Sequence, residues 1–283
     1  MKLSAAMQRR EGETWVALAR RASGLGFRGV SLPFDPAWGE AELVAMREAF
    51  DTKGVEVVAL ECPCNFLTPS EEACSANFAL LRRATDAGVL LNCDHVVTHA
   101  GTRHPDPNLP LAAHPDNWAD ATWDLFVKRV WALLDEVEDV GVRLCFEPHP
   151  ATTLNTLDSL ANLMADATTV RVRVALDPAA LFDAKAAAHP AHALAEVFAT
   201  LADTIAVARA TDLRLVESGD EPLVEPAPLG EGILDYAAYL KLVAALELDT
   251  PVIVPPQPSD AAYRAAYAFI AEAARQGKMA RGK

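Results

Sequence analysis

Charged side chains close several of the apolar stretches in this sequence, and their types are suited to proton transfer. Glu147 follows VRLCF, Asp177 follows VRVAL, and Arg209 ends the stretch IAVAR. A carboxylate is costly to bury without a partner, so these positions predict a polar site rather than a packed core. Carboxylates can act as general acids or bases, and a guanidinium can stabilise an oxygen that becomes negative during a reaction.

Further polar residues complete the predicted site. His99 follows DHVVT and is predicted to be catalytic together with Glu147 and Arg209. His149 and Gln257, which lie just beyond two of the apolar stretches, are predicted to bind the substrate. Structural alternatives remain open: a rim salt bridge for Glu147, a surface ion pair for Arg209, and bonds to nearby backbone for His99.

These residues are carried by eight alternations of a short β-like stretch and a helical stretch. Such alternation implies parallel strands with helical crossovers, and eight strands close a barrel. We therefore predict a single (β/α)8 TIM barrel, with residues 1–283 as one domain. The alternative is an open doubly wound sheet, which would want a GxGxxG turn after its first strand, and MKLSAAMQRREG has none. The predicted strands are Leu3–Met7, Gly29–Leu32, Val55–Leu60, Asp94–His99, Val142–Phe146, Val170–Leu176, Thr204–Ala208 and Pro251–Val254.

The active site of such a barrel lies at the carboxyl ends of its strands. Ser31 and Glu61 end the second and third predicted strands, so they are expected at the same mouth as the residues above. Each strand-end residue alone is a weak signal, but together they predict one polar site.

Four phrases give the chain a more specific resemblance. GVRLCFEPHP resembles the GVxLxxExH phrase of xylose-isomerase-like epimerases, and VRVALDPAALF resembles their LDPAH phrase. APLGEGILDYAAYLKLV resembles their PLGEGxxDw stretch, and VVTHAG resembles the histidine–glycine end of their fourth strand. The phrases occur in the family's order. The chain thus resembles the xylose-isomerase-like TIM barrel family of sugar and sugar-phosphate isomerases and epimerases over nearly its whole length.

The resemblance implies one divalent metal ion (Mn, Mg, Zn or Co) held by Glu, Asp, His and Glu ligands on strands five to eight. Glu147 and Asp177 match the first two ligands, although Asp177 could instead cap a turn before Pro178. Arg209 stands where the family has the histidine, and Pro255 stands where it has the second glutamate. We expect the guanidinium to contact one of the two remnant carboxylates, and we expect no tightly bound metal or other cofactor.

Family epimerases use the two glutamates as paired bases, and this chain matches only the first of them. The leading hypothesis is therefore an isomerase- or epimerase-like enzyme for a sugar or sugar phosphate, with Glu147 as base and Glu225 or Glu231 as a substitute acid. The alternative is a sugar-binding barrel without catalytic activity. A third hypothesis is an endonuclease related to the abasic-site nucleases, but those need a histidine-rich zinc cluster that this chain lacks.

Composition limits the partners. The formal net charge of -14 disfavours duplex nucleic acid and anionic membranes. No apolar run approaches the length of a membrane span, of about 20 residues, and the N-terminal residues have no signal-peptide apolar core, so the predicted location is the cytoplasm. The five cysteines have no zinc-finger spacing and are predicted to be reduced and packed. The sequence is compatible with a homo-oligomer.

Overall fold

Eight parallel strands close into a barrel in the computed structural model, which describes residues 1–137, 140–218, 222–247 and 249–279. Around the barrel the order is β1, β10, β7, β6, β5, β4, β3 and β2. The predicted TIM barrel is confirmed. The barrel strands are β1 (Lys2–Ala6), β2 (Gly29–Pro33), β3 (Glu56–Glu61), β4 (His95–Thr98), β5 (Arg143–Phe146), β6 (Val172–Leu176), β7 (Ile205–Arg209) and β10 (Pro251–Val254).

Helices surround the barrel, and several begin at capping residues visible in the sequence. Thr14 and Ser70 accept hydrogen bonds from the third backbone N–H of α1 and α3, and Thr156 and Ser159 form a capping box at α5. The α-helices are α1 (Trp15–Gly24), α2 (Glu40–Asp51), α3 (Glu71–Leu91), α4 (Asp120–Glu136), α5 (Leu157–Ala167), α6 (Pro178–Leu181), α7 (Ala184–Ala188), α8 (Pro190–Leu201), α9 (Tyr236–Val243) and α10 (Asp260–Met279).

The stretch after β7 contains a structure that the sequence did not predict. The expected long loop holds an antiparallel hairpin of β8 (Asp212–Val216) and β9 (Leu223–Ala227). The buried Asp212 carboxylate accepts N–H bonds from Leu213 (2.9 Å), Gly230 and Gly232 (both 3.1 Å) and Leu234 (3.3 Å). The carboxylate therefore ties the base of the hairpin to the PLGEG segment.

The inside of the barrel changes character along its axis. A buried cluster of small and branched side chains, which includes Val97, Cys145 and Ile253, is separate from the larger core between strands and helices. Because side chains alternate along a strand, Arg143 and Glu147 share the inward face of Cys145, one on each side of it. The interior thus has the charged Arg143 at its amino end, apolar side chains in the middle and the charged Glu147 at its carboxyl end. None of the helices described here is long and apolar enough to cross a membrane.

Candidate active site

Arg209, at the end of β7, lies between two glutamates and is only 8% exposed. Its Nη1 and Nη2 donate to the two carboxylate oxygens of Glu61 at 2.8 Å and 2.7 Å. Its Nε donates to Oε2 of Glu147 at 2.8 Å, and Nη2 donates to the same oxygen. Since β3 and β7 are on opposite sides of the eight-strand ring, the guanidinium reaches across the mouth of the barrel. We call Glu61, Arg209, Glu147 and Ser31 the Arg209 cluster.

Glu61 is the fully engaged member of the cluster. Both of its oxygens accept bonds from Arg209, and Oε1 also accepts the hydroxyl hydrogen of Ser31. Burial raises the pKa of Glu61, but the positive charge of Arg209 and these hydrogen bonds outweigh it, so the pKa is lowered. Glu61 is therefore ionised at neutral pH and serves as the counter-charge of Arg209.

Glu147 has the opposite electrostatic balance. Burial is the largest influence on its pKa, and the negative charges of Glu61 and Asp177 add to it, while Arg209 acts against them. The result is a pKa raised to about 7. Only Oε2 of Glu147 accepts bonds within the described residues. The Glu147 side chain is 15% exposed, and Oε1 is its oxygen open to solvent.

His99 stands beside Glu147 as a neutral imidazole. Burial lowers the pKa of His99 to about 4. Its Nδ1 lies 3.3 Å from the backbone oxygen of Glu147. Because a carbonyl oxygen can only accept, Nδ1 carries the hydrogen in this contact and Nε2 is left as an acceptor.

Asp177 adopts the alternative role that the sequence left open, that of a capping residue before Pro178. Its Oδ1 accepts the backbone N–H groups of Ala179 (2.9 Å) and Ala180 (3.4 Å), so Asp177 caps the short helix α6. The hydroxyl of Thr211 donates to the same oxygen. The guanidinium of Arg209 contacts Glu147 and not Asp177. Asp177 acts on the cluster through its charge, which raises the pKa of Glu147.

The two residues predicted to bind substrate lie on different sides of the mouth. The ring of His149 is half-buried, and its centroid is 6.4 Å from that of His99. Gln257 donates to the backbone oxygen of Pro255 at 3.0 Å. It lines a cavity of ≈ 310 Å³ together with Glu61 and Ser31. Glu61 is thus shared by the cavity and the Arg209 cluster.

The residues present do not fit the divalent ion that the family resemblance implies. Arg209 already donates twice to Glu147 Oε2, and Oδ1 of Asp177 accepts three hydrogen bonds. Within the described part of the chain, no group of three or more His, Cys, Asp or Glu side chains is arranged to hold a metal ion. A permanent cation also lies against the carboxylate that an ion would need.

The sequence profile of the family described as xylose isomerase-like TIM barrel matches residues 19–273. The chain belongs to this family. No curated protein sequence matches it.

Solved structures of the family have the same fold at low sequence identity. D-psicose 3-epimerase from Clostridium cellulolyticum H10, solved with D-tagatose, is 13% identical with a TM-score of 0.73, over 96% of this chain and 99% of that chain. The 3-keto-D-glucoside 4-epimerase of E. coli is 16% identical with a TM-score of 0.71, over 96% and 99%. A xylose isomerase-like TIM barrel protein from Mycobacterium smegmatis, in complex with magnesium, is 16% identical with a TM-score of 0.70, over 98% and 97%. At sequence identities of 13–16%, these similarities show a shared fold and not a shared activity.

Within this xylose isomerase-like barrel, neither candidate substitute acid forms a hydrogen bond with the Arg209 cluster among the described residues. Glu225 is half-buried on β9 of the hairpin, and its Oε2 lies 3.3 Å from Nη2 of Arg214. Glu231 is exposed in the PLGEG segment. The sequence missed Glu61 as the main partner of Arg209. Its signal was its place at the end of an apolar strand. A linear sequence does not show that the end of β3 faces the end of β7 across the barrel.

Proposed function

We propose that this chain is a metal-independent isomerase-like enzyme that moves a proton next to the carbonyl group of a small sugar or sugar phosphate. The supporting observation is Glu147, whose carboxylate is anchored at one oxygen, accessible at the other, and has a pKa of about 7. A base with this pKa is half ionised at neutral pH, and general bases are most effective near their operating pH.

Glu147 rather than Glu61 is the base. All the oxygens of Glu61 are engaged, and its lowered pKa makes it a weak proton acceptor. The open Oε1 of Glu147 takes the proton bound to the carbon beside the substrate carbonyl. Arg209 has five N–H groups, and its bonds use four of them, which leaves one on Nη1 to donate to the oxygen that becomes negative.

His99 positions the substrate in this proposal. Its Nε2 accepts a hydrogen bond from a substrate hydroxyl, and its low pKa keeps it neutral, so it does not compete with Glu147 for the proton. His149 and Gln257 bind further hydroxyl groups from two sides of the mouth.

The chemistry available is transfer on one face of the substrate. The family's second glutamate position is Pro255, Glu225 is paired with Arg214, and Glu231 is exposed without a bond to the cluster among the described residues. A single carboxylate can remove a proton from one carbon and deliver it to the neighbouring carbon on the same face. When the hydroxyl proton of the enediolate also passes from one substrate oxygen to the other, the result is an aldose–ketose isomerisation. Epimerisation by opposite-face delivery lacks its acid. Relatives named as epimerases support the carbohydrate class of substrate.

The test is proton exchange with solvent, which detects proton removal even when turnover is slow. Aldoses, ketoses and their phosphates are incubated with the protein in deuterated buffer, and loss of the proton signal beside the carbonyl is followed by NMR. We expect exchange with at least one substrate, loss of at least about 100-fold in Glu147→Gln, and an unchanged rate in the control Glu225→Gln, a hairpin residue paired with Arg214. Dialysis against a chelator should leave the rate unchanged.

The competing function is a sugar-binding barrel without catalysis. It is favoured by the ion pairs of both glutamates with Arg209. Sugar binding by calorimetry without exchange in any substrate would establish this function and overturn the enzymatic proposal.

A further inference from the structure

A cavity lined by aromatic rings lies at the carboxyl ends of β1 and β2 and the segments that follow them. Its volume is ≈ 330 Å³, and its aromatic members are Trp15, Phe34 and Trp38, all half-buried. The ring centroids of Trp15 and Trp38 are 5.5 Å apart with an interplanar angle of 84°, and those of Phe34 and Trp38 are 5.8 Å apart at 88°. Rings at right angles do not close face to face, so apolar ring surface is left to line the cavity.

This aromatic cavity adjoins the cavity of ≈ 310 Å³ that contains Glu61. Gln8 and Pro33 line both cavities. Pro33 is paired with Glu61 in the register of β2 and β3, and the backbone N–H of Phe34 donates to the backbone oxygen of Glu61 at 2.8 Å. The aromatic cavity therefore lies next to the Arg209 cluster, on the side of β2.

Polar groups at the aromatic cavity are left without protein partners. The side-chain amide of Gln8 and the indole N–H of Trp38 make no hydrogen bond within the described part of the chain, whereas the Trp15 indole donates to Glu42 at 3.0 Å. The exposed Asp35 also lines the cavity. Apolar walls with a few hydrogen-bonding groups are typical of small-molecule sites. They suit a sugar ring, which has C–H groups on its faces and hydroxyls around its edge.

Arg9 decides which rings are available to a ligand. Its guanidinium carbon lies 4.0 Å from the centroid of the Trp15 ring, and its Nη2 lies 3.7 Å from Oε1 of Glu42. One face of Trp15 is thus covered by a cation that the ring attracts. Contact with a ligand therefore depends mainly on Phe34 and Trp38.

We propose that the substrate is a reducing disaccharide, whose reacting sugar lies over the Arg209 cluster and whose second ring lies in the aromatic cavity. Each cavity alone is at the lower end of the usual range for ligand sites, about 300–1,000 Å³, and the two adjoin. The carbonyl of the reacting sugar must stay free for proton transfer, so the second ring is attached through a hydroxyl away from it. This proposal rests on the proposed function, but binding alone measures the site of the second ring.

The probes are matched sugars, and the readout is the Kd by calorimetry with the full chain. Glucose is compared with maltose, cellobiose and isomaltose, and fructose with maltulose and isomaltulose. We expect at least one disaccharide to bind about tenfold more tightly than its monosaccharide. Phe34→Ala and Trp38→Ala should remove this difference and leave the Kd of the monosaccharide unchanged. Trp131→Ala, which removes an exposed tryptophan on α4, should retain the difference.

Two further variants keep the test valid if an alanine variant fails to fold. Trp38→Phe keeps a ring and should retain most of the difference, and Gln8→Ala, at an exposed residue, should lose part of it. Disaccharides that bind no more tightly than their monosaccharides would overturn the second-ring site, and so would a difference that persists in both alanine variants.

Failure of the second-ring site and failure of the proposed function have different signatures. Deuterium exchange in the monosaccharides, with no preference for a disaccharide, would leave the function standing and remove the second-ring site. Tight disaccharide binding that depends on Phe34 and Trp38, without exchange in any sugar, would establish the second-ring site and overturn only the catalytic function.

Discussion

Arg209 places one positive charge between two glutamates, and the consequences follow from charge balance. Two glutamates and one guanidinium carry one excess negative charge when both glutamates are ionised. Glu61 is bonded through both oxygens and keeps its charge, so the adjustable proton belongs to Glu147. The cluster is neutral when Glu147 is protonated and anionic when it is not.

Removal of the Arg209 guanidinium should lower the free energy of unfolding far more than removal of a surface arginine. Arg209→Met leaves two largely buried carboxylates facing each other, and losing one partner of a buried ion pair costs up to about 3–5 kcal/mol. Arg214→Met removes an exposed arginine 3.3 Å from Glu225, and exposed pairs contribute about 0–1 kcal/mol. Urea unfolding at neutral pH measures both free energies. Equal losses in the two variants would contradict the buried ion-pair network.

Restoring charge balance provides a second check on Arg209. Adding Glu147→Gln and Glu61→Gln to Arg209→Met removes the unpaired carboxylates. The triple variant should therefore recover part of the lost free energy of unfolding, since glutamine carries no charge to bury.

Glu147 should titrate near neutrality. Carbon NMR of glutamate side-chain carboxyls should show one group with a midpoint of about 7, and that signal should be missing in Glu147→Gln. The raised pKa of Glu147 also makes the free energy of unfolding depend on pH. The folded protein holds a proton that the unfolded chain releases above pH 4.5, so this stabilisation is present at low pH and is lost as pH rises through about 7. Glu147→Gln should lack that decline, and a titration midpoint below 5 would contradict the assignment.

The sequence identified the residues at the carboxyl-end mouth, but it did not predict the contact between Arg209 and Glu61, and this omission has a physical cause. Glu147, His99 and Arg209 were found because each ends an apolar stretch that must be a strand. Glu61 ends a strand in the same way, yet its role depends on a long arginine crossing the barrel. Such a contact depends on closure of the sheet, which local patterns do not encode. The catalytic and binding roles themselves stay predictions.

At the scale of elements, the loops after β3 and β4 are locked together at Asn65 and Gly101. Asn65 Oδ1 accepts the backbone N–H groups of Leu67 (2.9 Å) and Thr102 (2.8 Å). Gly101 has a φ of 85°, and a Cβ there would lie 2.1 Å from Asn65 Oδ1 and 2.6 Å from Asn65 Cα. Gly101 follows His99 by two residues, so this contact fixes the loop that begins at the site.

Gly101→Ala should therefore destabilise the protein more than a matched glycine substitution. Gly12 has a φ of 73°, but no atom lies within 4 Å of the position that a Cβ would take there, so Gly12→Ala reports backbone strain alone. We expect Gly101→Ala to cost about 1–3 kcal/mol more, through the forced displacement of Asn65. Urea unfolding of the two variants measures the difference. Similar costs would show that the two loops can separate freely.

The strands were predictable because buried parallel strands are continuous apolar stretches, and each predicted strand overlaps an observed one. The hairpin β8–β9 was not. Its strands are partly exposed and contain charged residues, including Arg214 and Glu225, so neither an apolar run nor a clean alternation marks them. The hydrogen bonds to Asp212 that anchor its base come from residues up to 22 positions away.

At the scale of the whole molecule, charge predicts an absence of binding. With a net charge of -14, the protein should repel the phosphate backbone of duplex DNA. Fluorescence anisotropy at physiological salt should show no binding at micromolar protein concentrations. Saturable binding that weakens with salt would contradict this expectation and reopen the endonuclease hypothesis.

Asp212 and the PLGEG segment have a consequence for how relatives of this protein are sorted. The phrase that most clearly resembles the family has a structural role. The backbone N–H groups of Gly230 and Gly232 donate to the buried Asp212 carboxylate, and a Cβ on Gly232 would lie 2.0 Å from Asp212 Oδ1. Such a structural contact can be kept in related proteins while the reaction changes, because it contributes to folding and not to catalysis. A sequence match to this phrase alone is therefore evidence for the fold and not for the reaction. Relatives are better grouped by the residues at the positions equivalent to 61, 209 and 255, where this chain has glutamate, arginine and proline.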